Sequence, residues 1–318
     1  MNNTNQILIT GVNGFIGSHI ASNLLWQKYQ VLGISIEPDS KIKDPNFTYQ
    51  QIDIKNETAI KTIFENFTID TVIHLAAIVH KNTNDLSYDS YYKTNYLASK
   101  NIFMLADQFK VKTVLFASTI EVYGDCQEQI IIEETIPQPT SIYAKTKFLA
   151  EKELLDHSHN FNYAIMRFAP VYGKFFRFNL NKRIYLIPNK LSYYFKKGDY
   201  SFNFCSLNNI IDFIHDYLKS PPKESGIYNI SDQKNFPVTD IITHEKKQHK
   251  NLILNIKLPF YLTLIIIFCF EKLMKIFSKK DKTISIYNFR KLFKSTVYTS
   301  KKALKISKFK WDIINTDN

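Results

Sequence analysis

The sequence predicts a doubly wound α/β fold, a mostly parallel sheet covered by helices on both faces, with a smaller C-terminal lobe. Three observations carry the prediction. Short β-branched runs alternate with longer helical patterns through the first half of the chain, as parallel strands joined by crossover helices require. Glycines at positions 11, 14 and 17 follow the first strand pattern directly and open the first helical one. Beyond Arg167 the alternation fades, and residues 174–200 are aromatic and basic.

Taken in order, strands are predicted over residues 7–10, 30–36, 47–52, 71–75, 113–117 and 163–167, and helices over 15–27, 57–67, 92–109 and 142–157. A sheet of this kind binds ligands at the carboxyl ends of its strands, so functional residues are expected there. The 318 residues, 45% of them hydrophobic, supply enough material for two unequal lobes around a well-buried core. No repeat or low-complexity linker divides them. Residues 1–167 are therefore expected to form the sheet domain, and 168–318 mainly the second lobe, with some segments returning to the sheet.

Composition narrows the function classes. The three cysteines, Cys126, Cys205 and Cys269, form no CxxC pair, and no His/Cys cluster has metal-ligand spacing, so neither a disulfide framework nor a metal is expected. The opening MNNTNQILITG lacks a basic segment followed by a long apolar one, and a cytoplasmic location is expected. Residues 1–240 carry 24 basic and 24 acidic side chains, whereas the last 78 carry 17 and 5. The ordinary reading of that excess is a solvated lysine-rich face. Weak association with an acidic membrane surface is the functional alternative, and no nucleic-acid motif accompanies the charge. Within this tail, residues 258–270 (LPFYLTLIIIFCF) are too few to span a bilayer, which needs about 20 apolar residues. They suit a buried helix first, and a helix lying at a membrane interface second.

Small residues in Thr10-Gly11-Val12-Asn13-Gly14-Phe15-Ile16-Gly17 have distinct physical tasks. Gly11 permits the tight turn, Gly14 lets backbone approach a pyrophosphate, and Gly17 lets the helix pack on the strand, with free N–H groups at the helix start facing the anion. Glycine alone also marks ordinary turns; the strand-loop-helix context is what points to a dinucleotide. Glu37 lies at the distance where an acid reads the adenosine ribose of NAD, but Lys41 and Lys43 follow, so NADP stays open. Asp53 and Ile54, at the end of the third strand, are placed to meet the adenine, unless Asp53 merely caps the next helix.

Tyr143 and Lys147 stand four residues apart on one helix face. An ordinary phenol, with pKa near 10, is a poor base at neutral pH, and a nearby ammonium would stabilise its phenolate. Alone, such a pair is a common exposed motif. Here it follows the strand ending in Ser118-Thr119, whose hydroxyls can bond a reacting oxygen or simply cap the loop.

TGVNGFIG at 10–17, HLAA at 74–77, STIEVYG at 118–124, YAKTK at 143–147 and RFAPVYG at 167–173 together resemble the NAD-dependent epimerase/dehydratase family of extended short-chain dehydrogenases/reductases, in its nucleotide-sugar branch. Asn95, Asn208-Asn209 before Asp212, and GIYN at 226–229 are further echoes, and the resemblance covers residues 6–232. It implies a Rossmann-like fold in which Thr119, Tyr143 and Lys147 form the catalytic set. Gly11, Asn13, Gly14, Phe15, Ile16, Gly17, Asp53, Ile54, Leu75, Ala76 and Ala77, with Tyr143 and Lys147, would hold the dinucleotide. It also implies a homodimer through the helices carrying Asn95 and Tyr143.

Two departures matter. The family's dehydratases follow the active-site Thr with an Asp-Glu pair, and here Ile120 precedes Glu121. The resemblance therefore implies a C4 epimerase of a UDP-hexose or UDP-N-acetylhexosamine, with a reductase of a UDP-4-keto-6-deoxy sugar as the alternative. Pro170 and Phe202 occupy places where the family often puts a substrate-holding Asn and Arg. Arg177, Lys182, Arg183, Lys196 and Lys197 are the cations available for a diphosphate, and the Pro170 form with Asn179-Leu180 looks closest to the branch acting in bacterial surface polysaccharide synthesis. A non-catalytic dinucleotide-binding module is the reading from another class, disfavoured because it needs no proton acceptor with its cation.

Overall fold

A computed structural model describes residues 6–79, 87–126, 128–174, 178–248, 254–276, 289, 293 and 296–313. Strands β1 (Gln6–Thr10), β2 (Gln30–Ser35), β3 (Phe47–Gln51), β4 (Ile69–His74), β5 (Thr113–Thr119), β6 (Asn162–Phe168) and β7 (Gly226–Ile230) form a seven-stranded sheet. Its order is β7-β6-β5-β4-β1-β2-β3 and every pairing is parallel. The first six strands agree with the predicted ones to within two residues. The seventh returns from the second part of the chain. Because both faces are covered, the strands read as continuous apolar runs: Leu8, Ile9, Leu32, Val72, Ile73, Val114 and Leu115 are all fully buried.

Helices α1 (Phe15–Trp26), α2 (Glu57–Asn66), α3 (Tyr88–Tyr91), α4 (Ala98–Gln108) and α5 (Ile142–Asp156) carry the crossovers. The helix predicted over 92–109 begins earlier and is interrupted by a π-helical stretch, Tyr92–Leu97. The wider turn is occupied by Asn95, whose amide accepts from Ile78 N–H at 2.8 Å and donates to Ile78 C=O at 2.9 Å and to the Thr146 hydroxyl at 3.3 Å. A local departure from the regular ladder thus holds the loop after β4 against α5.

Past α6 (Phe178–Ile184), α7 (Leu207–Lys219) packs on the large sheet beside α1, and the second lobe holds α6, α8 (Val238–Gln248) and α9 (Phe260–Ile276) with a small sheet of Tyr185–Ile187, Leu191–Phe195 and Leu254–Leu258. Its core is aromatic, with Tyr172, Tyr185, Phe195, Tyr200, Phe202 and Phe204 buried together. The expectation that residues 258–270 are buried is corrected here. Only one stripe of α9 packs inward, and Tyr261, Leu262, Ile265, Ile266 and Phe268 lie exposed.

Asp232, just after β7, fastens the lobe to the sheet. It accepts from Ser206 N–H at 2.7 Å, the Asn209 amide at 2.9 Å and the Tyr172 hydroxyl at 2.7 Å. Asn209 in turn donates to Trp311 C=O at 2.8 Å, holding the C-terminal segment on α7. Burial pushes the Asp232 carboxyl up from its ordinary 3.8 to about 7. An acid whose folded-state value is raised binds more protons folded than unfolded, so its contribution favours the fold below about pH 4 and declines as pH rises to about 7. Asp232→Asn removes this term. Thermal melts should show the wild type losing stability relative to the variant between about pH 4 and 7.

Candidate active site

Strand order reverses between β1 and β4, and the loops leaving these two strands face each other there. Gly11 has φ +68, and a Cβ on it would come within 2.9 Å of the Ala76 Cα. A Cβ on Gly17 would lie 2.3 Å from the Gly11 carbonyl oxygen, so neither position admits a side chain without moving backbone. Gly14 caps α1 without any side-chain hydrogen bond and α1 has no acid in its first turn. Asn56, Ser141 and Ser206, by contrast, cap α2, α5 and α7 with their side chains. The N-terminal amides of α1 are thus left for an anion, and this cradle fits a dinucleotide pyrophosphate. Asn13 ties the loop to its neighbours, donating to Asp39 C=O at 2.9 Å and to the Tyr49 hydroxyl at 3.3 Å. Phe15 and Ile16 pack partly buried against the core.

The opposite wall, Leu75 to Ala77, is held by a buried chain of polar groups. The Ser99 hydroxyl donates to Asn95 C=O at 2.8 Å, so it accepts from His74 Nε2 at 2.8 Å. That leaves His74 Nδ1 to accept from the Thr10 hydroxyl at 2.6 Å. Thr10 Oγ1 also accepts the Leu75 and Ala76 N–H groups, at 3.2 and 3.1 Å. Burial, with Lys147 close by, holds His74 well below its usual value, and the neutral ring closes the chain.

At the end of β2 the Ser35 hydroxyl donates to the Glu37 carboxylate. Asp53 leaves the capping of α2 to Asn56 and accepts from Lys55 N–H at 3.0 Å, with Lys55 Nζ at 3.2 Å. Ile54 is 4% exposed and packs in the core beneath the sheet, so its side chain offers little free surface.

Thr119 and Tyr143 come together: their side chains hydrogen-bond, and Thr119 Oγ1 also accepts Glu121 N–H at 3.2 Å. Ser118 points to the other side of β5, where its hydroxyl donates to Glu151. The two hydroxyls therefore separate in task. Lys147 is 1% exposed, with its ammonium 4.0 Å above the Phe116 ring. Burial lowers it from 10.5 to about 7, partly countered by Glu151. The expected stabilisation of a phenolate is outweighed in the protein alone, since burial and Glu121 push the Tyr143 phenol well above its ordinary value. Tyr143 is thus held in its protonated form in the protein alone.

Residues 7–231 match the NAD dependent epimerase/dehydratase family. The chain belongs to that family. Protein CapI of Staphylococcus aureus is 27% identical over 237 residues, covering 68% of this chain and 70% of that protein. UDP-glucuronate 4-epimerase of Thermodesulfobacterium geofontis is 33% identical over 180 residues, which is 52% of this chain and 56% of that protein. UDP-glucuronic acid 4-epimerase from Bacillus cereus, solved with NAD, superposes with a TM-score of 0.74 over 98% of this chain and 95% of that one. At 21% identity this last likeness establishes the shared fold.

Within this epimerase/dehydratase-family chain, Glu151 is the residue that sequence reasoning missed. It lies one turn beyond Lys147 and two beyond Tyr143 on the same face of α5, so the helical spacing carried the signal. Fully buried, it receives Arg167 Nε at 3.1 Å and Nη2 at 2.6 Å, and Arg167 lies 4.7 Å from the Tyr123 ring. Of the cations expected to meet a diphosphate, Lys182, Lys196 and Lys197 are exposed, and Arg177 lies outside the described residues. Arg183 is different: its guanidinium rests 5.5 and 5.4 Å from the Phe202 and Phe204 rings, and burial lowers it below its ordinary value, partly countered by Glu121. Removing one partner of a buried ion pair strands the other, so Glu151→Gln should cost about 3 to 5 kcal/mol in urea denaturation. Ser118→Ala, which deletes one hydrogen bond and keeps the pair, should cost about 1 kcal/mol.

Proposed function

We propose that this protein is an NAD-dependent epimerase acting at C4 of a UDP-sugar. The observation that carries the reading is the hydrogen-bonded Thr119–Tyr143 pair, with Lys147 on the same helix face, at the carboxyl end of a sheet whose glycine loop fits a dinucleotide. Relatives named UDP-glucose and UDP-glucuronate 4-epimerase support the choice of reaction. Ile120 after Thr119, where a dehydratase needs an acid, argues against water elimination. Glu37, steadied by Ser35, supports NAD over NADP, because a carboxylate there repels a 2′-phosphate.

In this mechanism the Tyr143 phenolate, its own proton released to solvent, takes the proton of the sugar 4-hydroxyl, and Thr119 steadies the same oxygen. NAD, when bound, accepts and returns the hydride and brings a positive charge to the site. A positive charge beside the phenol would lower it and favour the Tyr143 phenolate that accepts the proton. Lys147, whose charge Glu151 favours, adds a second cation when protonated. Once the oxygen has become a ketone, Tyr143 keeps the proton in place and returns it after the sugar presents its other face. Arg183 supplies the cation for the substrate diphosphate: burial weighs against its charge and an incoming anion favours it.

Product analysis by NMR, with UDP-glucose, UDP-N-acetylglucosamine and UDP-glucuronate as substrates, tests the reading. A C4 epimer should form without net consumption of NAD, and Tyr143→Phe should slow it at least about 100-fold with cofactor still bound. Stoichiometric NADPH oxidation by a UDP-4-keto-6-deoxy sugar, with no epimer from any of the three, would establish a reductase instead. Arg183→Ala should raise KM about tenfold or more while changing kcat much less, read from initial rates.

A further inference from the structure

We propose that the outer face of α9 docks on an anionic lipid surface and holds the enzyme beside a membrane. Helix α9 has two unlike faces of the same apolar character. Phe260, Leu264 and Ile267 form a stripe that packs into the lobe core with Phe289 and Phe293. The opposite face presents Tyr261 at 79%, Leu262 at 53%, Ile265 and Ile266 at 58% and Phe268 at 49% exposure. A cluster of this size on a single helix is uncommon surface for a protein that meets only water.

Charge selects the occupant. From Lys257 to Ile276 the chain carries three lysines, Lys257, Lys272 and Lys275, against one acid, Glu271. Lys257 and Lys272 are exposed near the two ends of the helix, and Lys272 Nζ lies 5.5 Å from the Phe268 ring. Apolar side chains with lysine at both ends of the helix match a bilayer of anionic headgroups over hydrocarbon, where each cation near the surface adds to the binding. A second copy of the same face would bring like charge against like charge. The helix lies in the plane of the surface and does not cross it. Its 17 residues rise only about 25 Å against the roughly 30 Å of a hydrocarbon core, and its inner stripe is already committed to the lobe.

The docking surface stands apart from the active-site assignment, so its test needs no substrate. Full-length protein is sedimented with vesicles of phosphatidylcholine alone and of phosphatidylcholine mixed with phosphatidylglycerol. Binding to the mixed vesicles should exceed binding to the neutral ones at least about tenfold and weaken in high salt. The double variant Ile265→Glu, Ile266→Glu should lose it at least about tenfold while its melting temperature and NAD binding match the wild type. Protein left in the supernatant with mixed vesicles would overturn the proposal, as would equal binding by the double variant. So would an oligomer, measured by light scattering without lipid, that the double variant breaks apart, since a second copy would then cover the face.

Discussion

Arg167 and Glu151 are held wholly out of water between α5 and the sheet, and the geometry of the site depends on that pair. Two charges in such a place stabilise the fold only if every lone pair and proton is engaged. Here Glu151 receives Arg167 through two nitrogens and Ser118 through a hydroxyl, while Arg167 also stacks on Tyr123. Tyr123 in turn donates to Asn229 at 2.7 Å on β7. A rotation of α5 about its axis would unpair these groups at once. The helix is therefore fixed in the one orientation that turns Tyr143 toward Thr119 and buries Lys147 over Phe116.

The same burial sets the electrostatics. It raises the Tyr143 phenol and lowers the Lys147 ammonium, so in the protein alone both groups are driven toward their uncharged forms. A site of this kind holds little charge of its own and responds strongly to charge brought by ligands, because a low effective dielectric magnifies each arrival. His74 fits the pattern: neutral and fully bonded, it stiffens the Leu75–Ala77 wall without adding a cation next to Lys147. On the proposed reading, proton acceptance by Tyr143 is thereby tied to the arrival of a ligand at the site.

What the sequence made legible was local. Strand and helix rhythm, the spacing of Gly11, Gly14 and Gly17, and the four-residue step from Tyr143 to Lys147 are each contained within one or two elements. What it hid was contact between distant segments. Glu151 lies in an ordinary helical pattern, and its importance comes from Arg167 and Ser118, on two different strands. The π-helical stretch at Tyr92–Leu97 follows from Asn95 reaching Ile78 and Thr146, which no periodicity reports. Ile54 and residues 258–270 show the limit of composition: an apolar side chain can be assigned to a protein interior or to a surface only when its neighbours are known.

The second lobe carries the same lesson into specificity. Phe202 stands where the family often has an arginine, and it forms with Phe204 a floor on which the Arg183 guanidinium rests. A cation offered from α6 instead of from the segment ahead of α7 sits on a different mechanical support. Arg183 donates to Asn179 C=O at 2.8 Å within its own helix, and Asn179 donates to Val171 C=O at 3.0 Å, beside the end of β6. An anion drawing on Arg183 thus pulls on a helix that is already hydrogen-bonded to the sheet side of the crevice. On the proposed reading, the grip on the substrate diphosphate and the seating of the lobe over the reacting sugar are one interaction, and exchanging the cation's origin preserves the chemistry while changing which sugar can fit beneath it.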